Sequence, residues 1–86
     1  MSKLHLLSIR DSAVAAYMPV QAVTHIAGFV RALGDVVSSG STTEEIAKHP
    51  EDYVVYKVGE FDDQSGLIAC LSVPEQVVRV VDLVRK

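Results

Sequence analysis

Residues 48–53 read KHPEDY and residues 61–66 read FDDQSG, which places one histidine and four carboxylates on either side of the apolar stretch VVYKVGE. Two chemistries would use such groups. His49 could act as a base oriented by Asp52, with Glu51 beside them. Alternatively His49, Glu51 and Asp52, or Asp62 and Asp63, could ligate a divalent cation. Both readings lack parts. The chain offers no clear nucleophile and no phosphate-cradling glycine loop. His5, His25 and His49 are far apart, without C-x-x-C or H-x-x-x-H spacing. The run DDQSG lacks the alternating oxygen ligands and distal glutamate of an EF-hand loop. The expectation is therefore structural: Pro50 ends a helical turn, His49 satisfies its last carbonyls and Asp52 bonds turn amides. Asp62 to Gly66 form a hairpin loop. No catalytic residue, metal or cofactor is expected.

The elements that position these residues follow from periodicity. MSKLHLLSIR alternates as a strand, and Asp11 and Ser12 make a turn. AVAAYMPVQAV reads as a second strand confined to a sheet edge or bulge, because Pro19 has no ladder donor. Thr24 is expected to cap a helix whose inward stripe is Ile26, Val30, Leu33 and Val37, with Arg31 and Asp35 opposite. Thr42 and Glu45 match a capping box for one further turn. DYVVYKVGEF reads as a strand and LIACLS as its hairpin partner. Ser72, Pro74 and Glu75 then resemble a helix start, with Val77, Val80, Val81 and Val84 as the buried stripe. The expected fold is α+β: a small antiparallel sheet of three or four strands with two helices packed on one face, because each apolar stripe needs one partner layer.

The chain has 86 residues, which makes one domain over 1–86 with a marginal core. Cys70 is the only cysteine, so no disulfide within the chain supports that core, and a reducing, cytoplasmic setting is expected. With 49% hydrophobic residues and a mean hydropathy of +0.26, the composition favours self-association, and a homodimer through Val77, Val80, Val81 and Val84 is expected. No run approaches the roughly 18 apolar residues of a membrane span, nor is a signal peptide recognisable. Eight Lys and Arg against eleven Asp and Glu leave a net charge of −3, which disfavours strong duplex binding by bulk electrostatics.

Weak single-strand binding is compatible with that charge. In a regular strand Tyr53, Lys57 and Phe61 point the same way, and aromatic rings interleaved with a cation are what unpaired bases stack on. Arg10, Arg31 and Lys48 would enlarge the patch if the fold gathers them. KHPEDYVVYKVGEFDDQSG, preceded by FVRALGDVV, resembles the small non-structural protein of microviruses, tailless phages with circular single-stranded DNA, in their gokushovirus branch. The matching residues are Asp11 and Ser12, Arg31 and Ala32, His49, Pro50, Glu51, Asp52 and Tyr53, then Gly59, Phe61, Asp62 and Gly66. The resemblance covers about residues 4–67, and nothing carries over beyond Gly66. The resemblance implies a protein absent from the capsid, without catalytic residues, associated with viral single-stranded DNA synthesis or DNA binding. The expected function is that of a non-enzymatic accessory protein in the cytoplasm of the infected bacterium, acting in genome synthesis or packaging. Its expected partners are single-stranded DNA or a phage or host replication protein. The alternative is an interaction module that modulates such a replication protein.

Overall fold

The computed structural model describes residues 3–39 and 45–84. Strand β1 (Lys3–Asp11) is followed by two short strands, β2 (Ala16–Tyr17) and β3 (Gln21–Val23), both antiparallel to β1 along the same edge. The break between them holds Pro19, as its missing amide requires. Helix α1 (Ile26–Ser38) comes next, then the single turn α2 (Glu45–Lys48) and a 3-10 turn over Pro50–Asp52. β4 (Tyr53–Asp62) and β5 (Ile68–Arg79) form the hairpin, and a second 3-10 turn covers Val80–Leu83. The sheet runs β2-β1-β4-β5, with β3 also on β1. The antiparallel α+β sheet is as expected, but it has five strands rather than three or four, because the broken edge counts as two, and only one substantial helix packs on it.

Three expectations are corrected. Among the described residues no C-terminal α-helix forms: Glu75–Arg79 belong to β5, whose valines are β-branched and fit a pleated surface better than a helix, and Val80–Leu83 make only a 3-10 turn. Pro74 does not open a helix but sits in an excursion. Cys70 pairs with Gly59 and Glu75 with Lys57, so Leu71–Pro74 bulge out of the ladder. Helix α1 begins after His25, not Thr24, and its N-cap makes no side-chain bond. The stripe it buries runs through Ile26, Phe29, Leu33 and Val37, with Phe29 taking the place read for Val30. The proposed Thr42 cap lies outside the described residues.

One face of the sheet is the core. Leu7, Ile9, Val37, Tyr53, Val55 and Val80 form its centre, and Val77, Val78 and Leu83 pack against it with the α1 stripe. Fully burying side chains such as Leu7, Val55 and Val80 stabilises the fold by about 1.5–3 kcal/mol each. The Ser38 hydroxyl donates to the Leu83 carbonyl at 3.3 Å and ties the end of α1 to the C-terminal turn. Since α1 and that turn occupy one side, strand alternation sends Leu4, Leu6, Ser8 and Arg10 to the other. No helix packs there among the described residues.

Candidate functional site

The histidine–carboxylate motif builds a corner of the fold. Asp52 lies at the end of the 3-10 turn, and both the backbone amide and the hydroxyl of Ser12 donate to its carbonyl, each at 2.8 Å. Asp11 holds its own turn by accepting the Ala13 amide at 2.9 Å, and it pairs in register with Tyr53. Thus Asp11-Ser12 and His49–Tyr53, separate in sequence, meet at one junction. His49 lies 3.9 Å from a Glu45 carboxylate oxygen and 3.8 Å from one of Glu51, all at exposed side chains. Ligand atoms of His49, Glu51 and Asp52 fall within 4.8 Å of one another. That spacing would admit a cation, yet the group is solvent-facing and follows from the turn itself.

Asp62 serves the hairpin in the same way. Its carboxylate accepts the amides of Gln64 (2.9 Å) and Ser65 (3.3 Å), and Gly66 closes the turn at φ +78°, where a side chain is disfavoured. These amide bonds, that of Gln64 foremost, hold the Asp62 carboxyl below its usual range.

A bulge at Val58 decides where the aromatic residues face. β1 pairs Leu6 with Gly59 and Leu7 with Lys57, leaving Val58 as an extra residue that reverses the alternation of β4. Tyr53 and Lys57 consequently face the helix side and Phe61 the open side. Tyr53 is buried in the core, and burial first, then the Asp11 carboxylate, pushes its hydroxyl pKa up. Lys57 pairs with Glu60 at 3.1 Å, and that hydrogen bond is the main reason the Glu60 carboxyl lies below its usual range. The expected stacking set is therefore divided between two faces. The cations are dispersed too: Arg31 is exposed on α1, Lys48 lies 4.0 Å from Glu45 on α2, and Arg10 stands on the open face. The expected dimer stripe is also dispersed, since Val80 is fully buried within its own chain while Val84 is exposed.

The open face carries an aromatic and cationic patch of different membership. Register places Ser8, Arg10, Tyr17, Val54, Tyr56, Gln76 and Arg79 together on it. The rings of Tyr17 and Tyr56 meet edge to face with centroids 5.7 Å apart. The Arg10 guanidinium lies 6.0 Å from the Tyr17 centroid, at the limit of a cation–π contact. Ser8 is buried here with its hydroxyl satisfied by the Met18 carbonyl at 2.7 Å. Toward the hairpin the same face is apolar, through Leu4, Phe61, Ile68 and Cys70.

Charge is segregated between the two faces. Arg10 and Arg79 are the charged residues at the paired positions of the open face, whereas the strand carboxylates Asp11, Glu60, Asp62 and Glu75 fall on the helix side. An acidic chain thereby presents a locally cationic surface. Tyr17, Tyr56 and Arg79 were missed because they meet only through pairing across β2, β1, β4 and β5, with Arg79 read into a C-terminal helix; Phe61 was grouped with Tyr53 and Lys57 because β4 was read as unbroken. Gly59, a glycine inside a strand, is the sequence signal that marks such a bulge.

A sequence model of the family described as phage ORF5 protein matches residues 4–83, and the chain belongs to that family. It is a bacteriophage protein. No curated protein and no solved structure shows a significant match.

Proposed function

We propose that this member of the phage ORF5 family is a non-enzymatic accessory protein of the microvirus type, and that it contacts single-stranded DNA through the open face of its sheet. The setting would be viral DNA synthesis or packaging in the cytoplasm of the infected bacterium. The observation that carries this reading is the patch of Tyr17, Tyr56 and Arg10, flanked by Arg79 and free of paired-strand carboxylates. Unpaired bases expose ring faces that stack on aromatic side chains, at about 1–3 kcal/mol per base, while duplex bases do not. Arginines alongside suit the phosphates between those bases. A binding role also agrees with the motif, in which the Asp52 carbonyl holds the corner and the Asp62 carboxylate holds the hairpin.

Affinity is modest on this account. Two phosphate contacts from Arg10 and Arg79 correspond to a salt slope of about −1.4 for a single strand, or about sevenfold weaker binding between 50 and 200 mM salt. Fluorescence anisotropy of labelled single-stranded and duplex oligonucleotides at those two salt concentrations tests the reading. Preferential single-strand binding with a shallow salt dependence supports it; equal binding of both forms, or of neither, contradicts it. A second reading, docking on a phage or host replication protein, is favoured by the apolar half of the same face at Leu4, Phe61 and Ile68. It gains if no oligonucleotide binds.

A further inference from the structure

The free edge of β5 is apolar, exposed and long. The chain exposes 5590 Å², where a globular monomer of 9.3 kDa is expected to expose roughly 5,000 Å². The surplus, on the order of 600 Å², approaches the roughly 800 Å² that each partner contributes to a standard interface. The radius of gyration is likewise large, 13.6 Å against about 12 Å for a compact chain of this length. Among the described residues two segments carry most of the exposed large apolar side chains: residues 14–20 at the broken edge, through Val14, Tyr17, Met18 and Val20, and residues 67–73 on β5. Leu67, Ile68, Leu71 and Val73 are 71%, 60%, 37% and 71% exposed, and residues 67–74, LIACLSVP, contain no charge.

β5 is also the long edge of the sheet. Its 12 residues pair with β4 on one side and, among the described residues, with no strand on the other. The opposite edge is blunted, being two strands of 2 and 3 residues broken at Pro19. An unpaired, uncharged edge is a template for another strand. Natural edges are normally protected by charge; here the Leu71–Pro74 excursion and Pro74 limit the pairing length but leave Ile68–Cys70 open.

We infer that a second copy of this chain pairs antiparallel with the Ile68–Cys70 edge about a twofold axis normal to the sheet, with Leu67, Leu71 and Val73 packing across the axis. The partner is argued from self-complementarity. An antiparallel pair brings the same segment of both copies together, and an uncharged segment meets itself without repulsion. Assembly closes at two copies because the other edge is short and broken. The axis keeps both open faces on one side, so Tyr17, Tyr56 and Arg10 of the two copies share a continuous surface. The pairing itself does not depend on what that surface binds.

Sedimentation equilibrium without DNA, from about 1 to about 100 µM protein, tests this by mass action. The expected result is a species of twice 9.3 kDa that Ile68→Lys and Val73→Lys each weaken at least tenfold while circular dichroism shows an intact fold. Both positions are exposed, so folding should survive the changes. A monomer across the whole range overturns the inference and leaves the edge to a different protein. A dimer that survives both substitutions unchanged also overturns it, by placing the interface elsewhere.

Discussion

Gly59 reports most directly on the bulge that sets the facing of β4. A Cβ built there would lie 2.6 Å from the Ala69 carbonyl oxygen, 3.3 Å from Cys70 Cα and 3.4 Å from the Ala69 carbonyl carbon. All three are backbone atoms of the neighbouring strand, so the obstruction cannot rotate away. An ordinary contact requires moving β5 outward by several tenths of an ångström, against the ladder that fixes strands about 4.7–4.9 Å apart. Overpacking of this kind costs about 1–3 kcal/mol, and the reduced chain entropy of alanine returns about 0.5–1 kcal/mol. The difference spans about 0–2.5 kcal/mol, and a backbone obstruction that cannot rotate away puts Gly59→Ala in its upper half, about 1–2.5 kcal/mol, a fall in Tm of about 4–20 °C for a domain of this size. Gly28 supplies the control, since its Cβ would meet only the His25 Cβ at 3.9 Å within α1. Gly28→Ala should raise stability by about 0.5–1 kcal/mol. Thermal unfolding followed by circular dichroism measures both. A Gly59→Ala protein as stable as the parent would refute the close strand approach and, with it, the register at the bulge.

Val80→Ala should cost about 2 kcal/mol in urea unfolding, because the side chain is fully buried in the chain's own core; an unchanged stability would return Val80 to a surface role. Ser12→Ala removes one of two bonds to the Asp52 carbonyl and should cost about 0.5–1.5 kcal/mol, read as a lower urea midpoint. Asp62 and Glu60 both have lowered carboxyl pKa values, so the stability they add is present above their unfolded pKa, near 4, and is lost as pH falls through the lower folded values. Tm should drop from pH 5 to pH 2, and Asp62→Asn should flatten that drop; an identical profile for the variant would contradict the hairpin bonds. The Tyr53 hydroxyl pKa is raised, so its contribution holds below about pH 10 and fades as pH rises through the folded value. Ultraviolet titration should then show a tyrosine ionising above the ordinary phenol value, and Tyr53→Phe should abolish that late step.

Local signals were legible in the sequence and long-range ones were not. Asp62 to Gly66 announced the hairpin because turn chemistry is set within a few residues, and Pro19 announced the broken edge because a missing amide acts where it stands. Ile26, Leu33 and Val37 gave the buried stripe of α1 from spacing alone. Ser72, Pro74 and Glu75 misled, since the same residues suit a helix start and a strand excursion, and only pairing with Lys57 and Gly59 decides between them. The site was obscured by a single inserted residue. Val58 turns Tyr53 inward and Phe61 outward, so an aromatic set read from regular alternation splits across the sheet, while Tyr17 and Tyr56 meet only because β2 and β4 flank β1.

Single-strand contact on the open sheet face is the central claim, and it is tested most directly by titrating isotope-labelled protein with a short single-stranded oligothymidine and following backbone amide shifts. The account predicts shifts concentrated at Arg10, Tyr17, Tyr56, Gln76 and Arg79, abolished by the paired substitution Tyr17→Ala and Tyr56→Ala in a protein whose remaining spectrum is intact. Shifts confined to α1 and the His49–Tyr53 corner, or none at saturating oligonucleotide, would contradict it.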